Sequence, residues 1–129
     1  MNSDLQVSIV VTSLRLDPTE IEQRLGRTPS RTWRLGDSIA STITHRKHHG
    51  WVLTATNGPG APLDEQVQSL LDQIDEPAMR ALKLEGEVEI EFACVARIAD
   101  ETPVLCVSRE ILDRVVRVGA GIDIDIVPL

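Results

Sequence analysis

The chain has 129 residues, 42% of them hydrophobic and 26% charged, with a formal net charge of −7. That length buries roughly two-thirds of the surface an unfolded chain exposes, so a single domain over residues 1–129 needs neither disulfide nor metal staples. The acidic balance argues against a polyanionic partner, and no apolar run approaches the ~20 residues of a membrane helix.

Taken in chain order, "DLQVSIVV" alternates, with Leu5, Val7, Ile9 and Val11 on one side, which predicts a strand with one buried face. The start "MNSDLQVSIVV" lacks the basic region of a secretory signal, so a cytoplasmic protein with reduced thiols is expected. In "DPTEIEQRLG", Asp17 is an N-cap, Pro18 fits the first helical position, Glu20 stands three residues after the cap and Gly26 supplies a left-handed stop. Ile21 and Leu25 form the inward side of this two-turn helix. "GRTPSRTWRLGD" then places Arg27, Arg31 and Arg34 around Trp33, between Gly26 and Asp37. From Arg24 to His49 six cationic residues stand against Asp37 alone, so charge is segregated along the chain.

Ile39 to Thr44 reads as a strand joined by the polar turn "HRKHHG" to a second strand, "WVLTATN". "GPGAP" breaks the chain. Leu63 to about Leu84 reads as helical, with Val67, Leu70, Leu71 and Ile74 as its apolar stripe and Pro77 bending or interrupting it. Glu87 to Ile98 alternates apolar residues with Glu87, Glu89 and Glu91, a strand with one wet face. "VLCV" allows a further short strand, Ser108 caps a helix to Val118, and "IDIDIVPL" reads as a last strand with Asp123 and Asp125 outward. The expected architecture is α+β: a mainly antiparallel sheet with helices on one face, a ferredoxin-like βαββαβ core and an appended helix and strand.

Leu14, Asp17-Pro18, Ile21, Leu25-Gly26, Pro29, Trp33 and Gly36-Asp37 together resemble the signature of a bacterial domain-of-unknown-function family, number 4279 in that series. Gly50-Trp51, Leu70-Leu71 and the ending "VGAGIDIDI" fit the same pattern, so the likeness spans nearly the whole chain. It implies a small, mostly stand-alone bacterial domain and carries no catalytic residue with it.

The arginine-rich segment has two readings. In one, Trp33 folds back over the end of the sheet and anchors a loop, leaving the arginines as a solvated fringe. In the other, Arg27, Arg31 and Arg34 are anion donors and Trp33 a stacking platform. Both tryptophans are expected to be buried, because the core is otherwise aliphatic apart from Phe92. His45, His48 and His49 crowd into one turn without the further ligands a structural zinc site needs. The glutamates of the long strand and Asp123 and Asp125 read as solvated strand faces, which become one acidic surface if the two strands are neighbours. Cys94 belongs to an apolar face, and Cys106 lacks a nearby base. No P-loop, GxGxxG or nucleophile elbow is present, so no cofactor is expected.

These features favour a non-enzymatic protein-interaction module, possible classes including an immunity or antitoxin-like protein, with another protein as partner and a homodimer also allowed. Nucleic acid and membrane are not expected partners. The alternative is a small-ligand or anion-binding domain whose site lies between the 26–37 loop and Trp51, formed by Arg27, Arg31, Trp33, Arg34, Asp37 and Trp51.

Overall fold

Alternation in β1 (Asp4–Ser13) decides the layering in the computed structural model, which describes residues 3–128. Leu5, Val7, Ile9 and Val11 are almost wholly buried. They join one apolar cluster with residues of every helix, while Gln6, Ser8, Val10 and Thr12 point to the opposite side. The other elements are α1 (Pro18–Leu25), β2 (Arg31–Trp33), β3 (His49–Thr54), α2 (Leu63–Gln73), α3 (Glu76–Leu84), β4 (Val88–Ile98), α4 (Arg109–Arg117) and β5 (Gly121–Pro128). The sheet has five strands in the order β2-β3-β1-β4-β5. Its first three pairings are antiparallel, and only β4 with β5 is parallel. The result is a mixed α+β fold whose helices cover one face of a mostly antiparallel sheet.

Local chemistry accounts for the helix limits. Asp17 accepts the Glu20 N–H at 2.9 Å, the Glu20 carboxylate reaches back to the Asp17 N–H, and Gly26 closes α1 at φ 63°. The predicted long helix is in fact two. Ile74 is extended, Asp75 caps α3 by accepting from the Ala78 N–H at 3.1 Å, and Pro77 sits in the first turn of α3. A proline there forgoes no intrahelical hydrogen bond, whereas in the middle of one continuous helix it would.

Two expected strands are corrected. The strand preceding β3 is Arg31–Trp33, not Ile39–Thr44, because it is Arg31, Thr32 and Trp33 that register with Val52, Trp51 and Gly50. Residues 39–44 turn back on themselves instead: Thr42 donates to the Ile39 carbonyl, Ala40 lies at φ 51° and Ile43 is 97% exposed. A strand at "VLCV" is likewise absent, as residues 102–108 run without regular structure into the Ser108 cap. The predicted final strand ends at Pro128, and Leu129, like Met1 and Asn2, lies outside the described residues.

At its Leu5 end β1 has no β3 partner, since that pairing begins at Ser8. A side chain takes its place. Buried Gln66 of α2 accepts from the Val7 N–H at 3.0 Å and donates to the Leu5 and Ala61 carbonyls at 2.8 and 2.9 Å.

Candidate functional site

The face of the sheet away from the helices can be read in rows across the strands. Trp33, Gly50, Thr12 and Glu89 form one row, and Arg31, Val52, Val10 and Glu91 the next. Thr54, Ser8, Ala93 and Asp123 follow, then Gln6, Val95 and Asp125. Side chains at opposed positions share a face, so the strands carry a gradient. A cationic and aromatic group stands at the β2 edge, small and aliphatic residues fill the middle, and carboxylates line β4 and β5, with Arg97 beyond them on β4 paired to Asp4 at 3.5 Å. Glu89, Glu91, Asp123 and Asp125 are all exposed. Because β4 and β5 are neighbours, the four form a single acidic field.

Trp33 answers the question posed by the arginine-rich segment. Its indole lies flat on Gly50: a Cβ built there would come within 2.1 Å of the ring. The Arg46 guanidinium stands 4.0 Å from the ring centroid. Both crowd the middle of the ring and cannot share a side, so the two faces of Trp33 are occupied. Arg31 adds a second cation at 5.5 Å, and the His48 ring centroid is 6.3 Å away. Trp33 is mostly covered but, unlike Trp51, not fully buried, because it rests on the wet face of the sheet. Its Nε1 and the Nδ1 of His48 are enclosed without a hydrogen-bond partner among the described residues.

The other residues of the segment diverge. Arg27 donates to Gln73 of α2 at 2.8 Å, and Arg34 pairs with Asp17 at 3.5 Å. The Asp37 carboxylate accepts from the Arg34 N–H at 2.8 Å, closing a turn. Trp51 is fully buried among the helices, since it is one residue from Gly50 and therefore points through the sheet to the other side. Of the six sequence-predicted site residues, Arg31 and Trp33 meet on the open face and Arg34 and Asp37 meet within the turn, while Arg27 and Trp51 lie elsewhere. Arg46, His48 and Gly50 were missed. A glycine inside an apolar strand was the available signal, because it marks close approach by another group.

The histidines also separate by role. His45 Nδ1 meets the Gly36 carbonyl at 3.0 Å, His49 Nδ1 accepts from the Leu35 N–H at 3.0 Å, and His48 packs on Trp33. Among the described residues no group of three or more His, Cys, Asp or Glu is placed to hold a metal. Burial pushes the Cys94 thiol up to about 11, which keeps it protonated, and Cys106 is exposed.

At the Glu89 end of the face, a cavity of about 380 Å³ is lined by Thr12, Ser13, Leu14, Arg15, His48, Glu87 and Glu89. Glu87 precedes β4 at φ 60° and accepts from Arg15 at 3.0 Å. Arg15 and Arg24 also bind Glu85, at 3.2 and 2.7 Å, which ties the end of α3 to α1 and the turn before it. Both cations are thus engaged within the fold. No helix of the described residues is long and apolar enough to cross a membrane.

Neither a curated protein nor a solved structure matches the chain. A family model does, described as a domain of unknown function (DUF4279) and matched over residues 3–129. The chain belongs to the DUF4279 family.

Proposed function

We propose that this domain is a non-enzymatic protein-interaction module whose helix-free sheet face receives a partner protein. The observation that carries the reading is the face itself: five strands wide, without a helix of the described residues over it, and graded from Arg31, Trp33 and Arg46 to Glu89, Glu91, Asp123 and Asp125. A surface of mixed sign with small residues between its poles suits a broad macromolecular contact better than a small molecule. A ferredoxin-like core under this face is part of the proposal. Its support is the order β2-β3-β1-β4 with antiparallel neighbours throughout, β5 being added in parallel at one edge.

The alternative, a small-ligand or anion site between the 26–37 loop and Trp51, has less behind it. Trp51 is on the helix side, Trp33 has no free ring face, and Arg27 and Arg34 are turned toward the helices. The test is affinity capture from the source cell with two baits, the wild-type chain and Glu89→Gln/Glu91→Gln/Asp123→Asn/Asp125→Asn. A protein retained by the first and lost from the second, then reproduced with purified components, supports the proposal. Equal recovery on both baits, or no protein that distinguishes them, contradicts it.

A further inference from the structure

The two edges of the sheet are unlike. At one, β2 is three residues long and is clamped by Trp33 and the arginines around it. At the other, β5 runs for eight residues, and no backbone hydrogen bond from another described segment reaches its outer side. A long free edge is a row of unmade hydrogen bonds, and proteins usually shorten, cover or charge such edges.

The side chains along β5 fall into two sets. In register with β4, Ile122, Ile124 and Ile126 stand beside Phe92, Cys94 and Ala96 on the helix side, while Asp123 and Asp125 stand beside Ala93 and Val95 on the open face. Ile122 packs against the core, but Ile124 is 40% and Ile126 59% exposed. The helix that leads into β5 also carries exposed apolar residues. Arg114 of α4 binds Asp72 and Glu76 at 3.0 and 2.8 Å, so that flank of α4 faces α2 and α3. Leu112 and Val116 are each two residues from Arg114, about 200° around the helix, and therefore lie away from α2 and α3. They are 41% and 72% exposed.

We infer that the β5 edge takes up an extended segment of a partner chain, apolar on one face and basic on the other. Main-chain pairing to β5 would extend the sheet. The apolar residues of the segment would cover Ile124 and Ile126, and its alternate Lys or Arg residues would meet Asp123 and Asp125. Neither aspartate has an ion-pair partner among the described residues. Charge also argues against a second copy of this chain as occupant. Antiparallel self-pairing centred on Ile124 sets Asp123 of each copy opposite Asp125 of the other, and like charges directly opposed are unfavourable. The inference rests on the reading of the domain as an interaction module and specifies the edge and the chemistry of its partner.

The experiment uses the full chain and a synthetic eight-residue peptide of alternating valine with lysine or arginine, beside a control in which every basic residue is glutamate. Binding of the basic peptide, new hydrogen-exchange protection on alternate β5 amides, and a loss of roughly tenfold in affinity in Asp123→Asn/Asp125→Asn are expected. Both aspartates are exposed, so that variant keeps the fold. Equal binding of the acidic peptide, protection confined to other strands, or a sedimentation-detected dimer with β5 already protected would each overturn the inference. A captured partner that needs Glu89 and Glu91 but tolerates Asp123→Asn, Asp125→Asn and Ile126→Lys would overturn it too, while leaving the interaction-module reading in place.

Discussion

Gly50 and Trp33 show how one residue without a side chain fixes the position of the largest one. The indole occupies the space a Cβ would need, with 2.1 Å between them in the hypothetical alanine. Gly50→Ala must therefore lift Trp33 from the sheet and separate it from Arg46. A cost of about 1–3 kcal/mol is expected from the overpacking, read from denaturant melts, together with red-shifted tryptophan emission. The two tryptophans should also differ from each other. Trp51→Ala removes a fully buried ring and is expected to cost ~3–5 kcal/mol, and Trp33→Ala less, because its ring is partly solvated already. Equal costs would contradict the assignment of the two rings to opposite faces. Period-two alternation could have indicated that separation, since Gly50 and Trp51 are adjacent. What the sequence could not supply was the strand that carries Trp33. "RTW" is too short and too polar for its pattern to reveal it.

Elements bounded by their own caps were legible, and those that depend on a distant partner were not. The Asp17, Glu20 and Gly26 signals place α1 to the residue, because every group that ends the helix is local. Ile39–Thr44 carried as much β-propensity as Arg31–Trp33, and the pairing with β3 decided between them. Gln66 is a second non-local feature, a polar residue in the apolar stripe of α2 that completes the hydrogen bonding of β1. Gln66→Leu leaves the Val7 N–H and the Leu5 carbonyl buried and unpaired there, at about 1–3 kcal/mol per orphaned group, and a thermal melt should register the loss. Acid sensitivity belongs to the same scale. The Glu20 N–H, and after it Arg34, hold the Asp17 carboxyl below its ordinary value, and Arg24, then Arg15, do the same for Glu85. A carboxyl lowered in the folded state contributes stability that is fully present above its ordinary value and is lost as pH falls through the folded one. Melting temperature should therefore decline below the ordinary values of 3.8 and 4.5, and more shallowly in Asp17→Asn/Glu85→Gln. Parallel acid limbs for wild type and variant would show that these contacts carry no linkage.

Across the whole molecule, the negative charge is not spread evenly. The cationic run from Arg24 to Lys47 divides, with Arg24, Arg27 and Arg34 turned toward the helices and Arg31 and Arg46 gathered at Trp33 on the open face. The carboxylates of β4 and β5 stand on that face three and four strand spacings from β2, or roughly 14 and 19 Å. Segregation of charge was visible in the sequence, but its distribution between the faces was not, because it depends on which arginines find partners in the helices. The most direct test of the open face as the binding surface is methyl and amide NMR of the chain titrated with the partner recovered by differential capture. Shifts are predicted at Val10, Ala93 and Val95, with Glu91, Asp123 and Asp125 beside them, while Ile9, Val11 and Ile90 on the helix side stay near their free positions. Shifts confined to the outer surfaces of α1, α2 and α3, with the open-face valines unmoved, would contradict the account.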